Sequence, residues 1–519
     1  MPLGRCCDGA AMTEASGPTG TLNLARFCLE ARAGDPATAD RTAFTFVRDD
    51  GDKAWTYADL WARIQRIGRG LLARGLEPGD RVLLRLPHSP DYAFAFFGAT
   101  VAGLVPIPAS PALTEEEAQF FVDDAQPRAI MTTEAMRLSA FGGIEILDGD
   151  LESLDGDGPL PETQAEDTAF LIYTSGTTAR PKGVLHAHRT IHGRALMREG
   201  WQDFGESDTT LHAGTLNWSY TIGVGLMDPW AAGAHAVLFG GTYDAAGWPR
   251  LIERLGVTVF VAVPTVYRQM LKYGRPEEFN LSTLRHGLIS GEPPPPGLID
   301  EWKERAGTQL YEALGMTEIS TYLSSSPSTT PVRAGSPGRG QPGRRLAILP
   351  QEGNDEPLPP NELGLLSVHR SDPGLMLGYW QRPEEEAAVY RGEWFTGGDL
   401  ATIDEDGYVW FHGRADDVIK SFGYRLSPVE IETALAGCPG IGEVAVVGVP
   451  IEDGKTLITA CVVPEAGVTV DDVALGDHAM QHLAEYKRPH QYRVIEALPR
   501  TPNGKLQRSA LIAQIQAEV

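Results

Sequence analysis

The sequence predicts an α/β fold: a large N-terminal domain of stacked parallel sheets with helices, a small β-rich part, and a small α+β lobe at the C-terminus. Three observations carry this. The chain has 519 residues, too many for one ordinary core, so at least two folded units are expected. From about Asp80 to Leu314, short and fully apolar strand candidates alternate with amphipathic helix candidates, the pattern of parallel sheets covered on both faces. Beyond that, the character of the chain shifts twice, once around Ser324–Pro360 and again near Gly413.

The alternating region is readable element by element. "DRVLLRL" reads as a strand, "PDYAFAFFGATVAG" as a helix and "LVPIP" as the next strand. Later, "HAVLF", "WPRLIERLG", "TVFVAVP", "TVYRQMLKYG", "LRHGLIS" and "PGLIDEWKERAG" repeat strand and helix in turn. The stretch after Ser324 is rich in Pro, Gly and Ser with short β-like runs. Past Gly413, "GRADDVIKSFGYRLSPVEIETAL" passes from a charged turn through a glycine hairpin to a helix. That helix opens near Ser427–Pro428, with Glu430 in its first turn.

Composition narrows the function classes. The formal net charge is -25, which argues against nucleic-acid binding and against docking on an anionic membrane. It leaves anionic small substrates open, since their capture depends on local Lys and Arg. Five cysteines without a CxxC pair indicate neither a disulfide frame nor a zinc site, and fit a reducing cytoplasm. The start "MPLGRCCDGAAM" lacks a signal-peptide core, and Met12 is a possible alternative initiator. The longest apolar tract, Ala93 to Pro108, is broken by Gly98, Gly103 and Pro106, so it reads as buried helix plus strand and not as a membrane span.

Two phosphate-loop look-alikes fail. "GRGQPG" at 338–343 has no preceding strand, and Pro342 stands where a helix should open. "DGKT" at 453–456 lacks the glycine a P-loop needs, that position being Val449. The stretch "YTSGTTARPKG" (Tyr173–Gly183) is different. It follows the apolar run "AFLIY" and supplies hydroxyls, flexible backbone and one cation, the groups polyphosphate oxygens need. Its lysine comes six residues after its first glycine and just before its last, an order that no Walker motif has.

This loop closely resembles the signature of the adenylate-forming superfamily, which includes acyl-CoA synthetases, luciferase and peptide-synthetase adenylation domains. Further elements follow in the family's order. "ISGEP" (Ile289–Pro293) resembles the segment lying against adenine, and "YEALGMTEIS" (Tyr311–Ser320) the aromatic-Gly-x-Thr-Glu motif. "WFTGGDLA" (Trp394–Ala401) resembles the ribose-binding motif, "GRADDVIKSFGYRLSPVEIE" (Gly413–Glu432) the interdomain hinge, and "PRTPNGKLQR" (Pro499–Arg508) the terminal loop with the adenylation lysine. The likeness is closest to medium-chain or aryl acyl-CoA synthetases and spans nearly the whole chain after the first few dozen residues.

The resemblance implies an N-terminal adenylate-forming domain over 1–415 and a mobile C-terminal lobe over 416–519. It implies ATP, Mg²⁺ and coenzyme A as cofactor and cosubstrates. Thr174, Ser175, Gly176, Thr177, Thr178 and Lys182 would hold phosphates. Gly291, Glu292 and Pro293 would lie against adenine, and Glu312, Ala313, Leu314, Gly315, Met316 and Thr317 would line the nucleotide site. Thr317 would meet the α-phosphate, Glu318 would bind the metal, and Asp399 would grip the ribose. Arg414 and Arg425 would contact nucleotide, Asp416 would be the hinge, Gly423 would line the CoA channel, and Lys505, with Thr317 and Glu318, would be catalytic.

Each residue type also has its own chemical reason. Joining a carboxylate to the ATP tetra-anion requires screening by cations and in-line placement, so positioning and electrostatics supply most of the catalysis. Glu318 offers a hard oxygen for Mg²⁺, and Gly504 lets the "PNGK" turn that carries Lys505 bend tightly. Three positions depart from the family pattern: Ala179 for glycine, Leu314 for the aromatic that stacks on adenine, and Gly397 for a hydroxyl residue.

For the acid, Gly315 stands where acetyl-CoA synthetases have a tryptophan, which opens space for several carbons. Trp218, Tyr220, Gly223, Val263 and Gly315 are the expected acyl pocket, and no histidine or acidic residue clearly announces an amino-acid or hydroxy-acid substrate. The sequence therefore predicts a ligase for a medium-chain or aromatic carboxylic acid, active in fatty acid metabolism or on aryl acids. Two alternatives stand beside it: a free-standing adenylation enzyme that loads a carrier protein, and a non-catalytic nucleotide-binding protein.

Overall fold

The computed structural model describes residues 20–174, 181–242, 244–415, 417–421, 424–451, 456–500 and 506–517, the side chains of 420, 424 and 425 apart. Six strands run parallel in the order Thr42–Val47, His235–Phe239, Thr209–His212, Val259–Ala262, His286–Ile289 and Gln309–Met316, with Lys53–Thr56 antiparallel at the edge. A second, four-stranded sheet is wholly parallel: Val105–Pro108, Arg81–Arg85, Ala129–Thr132 and Ile144–Leu147.

The helices Tyr57–Ala73 and Pro90–Val101 share one apolar core with residues of both sheets, among them Phe44, Leu238, Val82 and Met131. This explains the sequence of the second helix. Every residue of it but Asp91 is buried, so it needs an apolar surface all round. The first carries a Thr56–Asp59 capping box, which satisfies backbone N–H groups at its start. The tract Ala93–Pro108 is thus a buried helix followed by the strand Val105–Pro108, as its glycines and proline predict. Among the described residues no helix is long and apolar enough to cross a membrane.

The small β-rich part is not separate. Gln309–Met316 pairs parallel with His286–Ile289 on one side and antiparallel with Ser320–Ser324 on the other. From there Gly338–Gly340, Tyr408–Arg414, Trp394–Ile403, Gly364–His369 and Leu346–Leu349 continue the same fourteen-stranded sheet. Composition marks where the pairing changes sense, but hydrogen bonding carries straight across. The decoy "GRGQPG" is a strand followed by a turn, with no helix behind it.

The strand Thr168–Thr174 pairs antiparallel with Lys182–Ala187 as the two arms of a hairpin. The C-terminal lobe contains the hairpin Ile419–Ser421 with Tyr424–Leu426 and a sheet of Ile441–Pro450, Thr456–Pro464 and Gln491–Val494. Its first helix is Pro428–Ala436, where the Ser427 hydroxyl accepts from the Glu430 N–H and Pro428 occupies the first turn. That start agrees with the sequence reading.

Candidate active site

Strand Gln309–Met316 ends in a sharp reversal, and that reversal builds one wall of a cavity. A β-irregularity falls between Leu314 and Gly315, and Ser320 takes a φ of 70°. A Cβ on Gly315 would lie 2.4 Å from the Ser320 carbonyl oxygen and 2.6 Å from the Thr321 Cα. Glycine is therefore required by the fold here, because the returning strand passes too close for a side chain. Gly315 does line the cavity, but the missing indole is replaced by neighbouring backbone and not by open space alone.

The cavity has a volume of about 90 Å³. Gly315, Met316, Thr317, Ser320 and Thr321 form one wall. Trp218, Tyr220 and Gly223 face it from the short helix Ser219–Ile222 and its continuation, and Ser290 and Gly291 follow strand His286–Ile289. Gly291 takes a φ of 100°, and a Cβ there would meet the Trp218 ring at 3.4 Å. Four of the five expected acyl-pocket residues thus line one space. Val263 does not: it stands beside Trp218 behind Gly291 and forms no part of the wall.

Polar residues that the sequence reading passed over also line this space. Arg194, on helix Thr190–Met197, is 8% exposed. Its Nε and Nη2 each donate to Asp228 at 2.7 Å, and its Nη1 donates to Ser320 Oγ at 2.9 Å. Gln202 donates to the same Asp228 carboxylate at 2.6 Å. His186 stacks on Phe170 with ring centroids 4.6 Å apart and bonds to the Thr317 backbone. Burial, helped by Arg194 and Arg189, pulls its imidazole down to about 3, so it stays neutral. The sequence reading named none of these groups for the acyl pocket. The signal was a lone arginine within "TIHGRALM", a helix otherwise packed against the core.

The expected phosphate and metal residues meet through one tyrosine. Thr174 and Lys182 are register partners at the end of the hairpin where its two strands are joined. Lys182 pairs with Glu385, and its ammonium lies 5.5 Å from the centre of the Tyr379 ring. The Tyr379 hydroxyl donates to Glu318 at 2.8 Å. Ser175, Gly176, Thr177, Thr178 and the departure Ala179 lie outside the described residues.

On the ribose side, Asp399 and Arg414 are register partners on neighbouring strands, with Arg414 Nη1 3.0 Å from the carboxylate. The departure at Gly397 has a local cause. A Cβ there would fall 2.4 Å from the Met316 sulfur, so the Met316 side chain occupies the place of a hydroxyl residue. Leu314 packs against the apolar core beneath the antiparallel strands. Glu312 does not line the cavity; burial pushes its carboxyl up to about 8. Ala313 is buried behind that wall, and Pro293 follows Glu292 in the adenine-like segment.

The C-terminal region meets the adenine-like segment here. Glu292 accepts from Thr265 at 2.5 Å and from Arg500 at 3.3 Å, and Arg500 also bonds Glu443 at 2.8 Å. Arg268 reaches the same Glu443 at 2.6 Å. Arg500 and Leu506 form an antiparallel backbone bridge. Lys505, which precedes Leu506 in the sequence, lies outside the described residues, as do Asp416, Gly423 and the Arg425 side chain. Asp417 pairs at 3.4 Å with Arg508, the first residue of the last described helix, Arg508–Ala517.

Comparison with known proteins agrees with this layout. The family described as AMP-binding enzyme matches residues 30–380, and the AMP-binding enzyme C-terminal domain matches residues 430–505. The chain is 31% identical to an uncharacterised acyl-CoA ligase, YtcI, of Bacillus subtilis, covering 92% of this chain and 93% of that one. It is 32% identical to a benzoate–CoA ligase of Thauera aromatica, covering 91% and 93%. Among solved structures, ATP-bound MatB from Rhodopseudomonas palustris superposes with a TM-score of 0.88 at 27% identity, over 95% of this chain and 99% of that one.

Proposed function

The chain belongs to the AMP-binding enzyme family, and we propose that this member, an AMP-forming acid–thiol ligase, activates an aromatic or medium-chain carboxylic acid with ATP and passes the acyl group to coenzyme A. The observation that carries the reading is the shared cavity. Trp218 and Tyr220 of the acyl side and Gly291, Gly315 and Thr317 of the nucleotide motifs bound one space. An acid lying against the aromatic wall has its carboxylate beside the threonine assigned to the α-phosphate.

In the first half-reaction a carboxylate oxygen attacks the α-phosphorus, the bond to the bridging oxygen breaks, and pyrophosphate leaves. In the second, a thiol sulfur attacks the acyl carbon, the thiol proton is lost to solvent, and AMP leaves. Thr174, Ser175, Gly176, Thr177, Thr178 and Lys182 are assigned to the phosphates, Asp399 and Arg414 to the ribose side, and Lys505 to the adenylation step. Lys182 and Lys505 stabilise charge that develops on the phosphates. Arg425 is assigned to nucleotide, Asp416 to the hinge between 1–415 and 416–519, and Gly423 to the pantetheine channel.

The Glu318 carboxylate fits Mg²⁺. This ion takes one or two protein carboxylates and completes its shell with phosphate oxygens and water, and the Tyr379 hydrogen bond fixes one Glu318 oxygen in place. When bound, the ion neutralises triphosphate charge. The sparse thiols, with Cys28 and Cys438 free among the described residues, support a cytoplasmic setting.

Pyrophosphate release measured over a panel of aryl and C6–C12 acids, with and without CoA, tests the reading. Acid-dependent release with acyl-CoA formation supports it. Acid-dependent release in which only a carrier-protein thiol is acylated favours carrier loading instead, and no release with any acid refutes it.

A further inference from the structure

The polar side chains in the acyl cavity have more hydrogen-bonding capacity than the protein itself uses. The Thr321 hydroxyl, in a residue 4% exposed, is buried without a hydrogen-bond partner, and so is the Tyr220 hydroxyl. Both residues line the cavity. Arg194 commits three of its five N–H groups to Asp228 and Ser320. These groups are neighbours. Thr321 follows the serine that Arg194 holds, and Tyr220 lies three residues before Gly223 on one helical face. A Cβ on Gly223 would fall 2.2 Å from Arg194 Nη2, so glycine at 223 is what admits the guanidinium to this wall.

The charge of the wall is balanced. Among the described residues Arg194 is the one charged residue lining the cavity, and Asp228 neutralises it through two bonds of 2.7 Å. His186 is held neutral, and burial holds the Tyr220 phenol in its protonated form. A plain alkyl or aryl group against this wall leaves buried hydroxyls unpaired, which weakens its binding. A second carboxylate brings a charge that nothing in the wall offsets. An uncharged hydroxyl or carbonyl avoids both penalties.

We propose that Arg194, Tyr220 and Thr321 form a neutral hydrogen-bonding wall that selects carboxylic acids bearing an uncharged hydroxyl or carbonyl substituent over unsubstituted acids and over diacids. The inference rests on the ligase reading above and names the substrate class of that site. A cavity whose polar groups are satisfied only by the right substituent rejects the analogue lacking it.

The test compares kcat/KM for pyrophosphate release with benzoate, 3-hydroxybenzoate, 4-hydroxybenzoate and isophthalate, and with octanoate and 8-hydroxyoctanoate. The wild type, Tyr220→Phe and Thr321→Val are measured in parallel. At least one hydroxylated acid is expected to exceed its unsubstituted parent by tenfold or more, with isophthalate below both. At least one variant is expected to reduce that ratio fivefold or more. Both substitutions keep side-chain shape, and thermal melting of each variant separates loss of fold from loss of selection. A ratio at or below one in the wild type, or a ratio unchanged in both folded variants, overturns the proposal while leaving the ligase reading intact. No turnover with any acid overturns both.

Discussion

Asp399 and Arg414 face each other across two antiparallel strands, with the guanidinium 3.0 Å from a carboxylate that is 6% exposed. The pair presets the carboxylate on the side assigned to ribose, before any nucleotide binds. Asp399→Asn keeps the shape but removes the charged acceptor, and is expected to raise the KM for ATP tenfold or more with little change in melting temperature. Arg414→Ala leaves a mostly buried carboxylate with one cation fewer, and is expected to lower stability by about 1–3 kcal/mol. Urea titration and ATP saturation curves measure the two effects.

The Arg194–Asp228 pair is deeper, with both residues under one-tenth exposed. Removing one partner strands a buried charge, a loss of about 3–5 kcal/mol in comparable pairs. Asp228→Ala is therefore expected to destabilise the folded chain by that amount, far more than an exposed pair such as Arg48–Asp50. Denaturant unfolding of Asp228→Ala and Asp50→Ala provides the comparison.

Met316 and Gly397 share one volume. Gly397→Thr alone is expected to impair ATP binding and stability by displacing the thioether, and Met316→Ala should relieve it in the double variant. A coupling of about 0.5–3 kcal/mol marks residues in contact. Additive effects would show that the two positions are independent.

Tyr379 orients Glu318 and lies beneath Lys182. Tyr379→Phe retains the ring and removes the hydrogen bond. The expected result is a several-fold rise in the Mg²⁺ concentration needed for half-maximal activity, with a smaller change in the KM of the acid. A magnesium titration at fixed ATP checks this.

Much of this was legible in the sequence because local pattern and tertiary role coincide. Short apolar runs such as "TVFVAVP" can only be buried strands, and the Ser427–Pro428–Glu430 start carries its own capping chemistry. The continuity of the β-rich part with the parallel strands was not legible, since inter-strand hydrogen bonds leave no trace in composition. Arg194 and Asp228 are 34 residues apart and belong to different elements, so no spacing rule joins them. Val263 is not among the residues lining the cavity, and an apolar residue after a strand looks the same in sequence whether it lines a cavity or not. Gly315 lines it, and its physical cause is the close return of the Ser320–Thr321 backbone.

The account turns on one lysine serving one half-reaction. Arg500, five residues before Lys505 in the sequence, contacts Glu292, the neighbour of the cavity residue Gly291. The direct measurement is the pair of half-reactions in Lys505→Ala: acid-dependent exchange of labelled pyrophosphate into ATP, and thioester formation from supplied acyl-adenylate and CoA. The account predicts that the first is abolished and the second is largely retained. Equal loss of both, or retention of both, would contradict it.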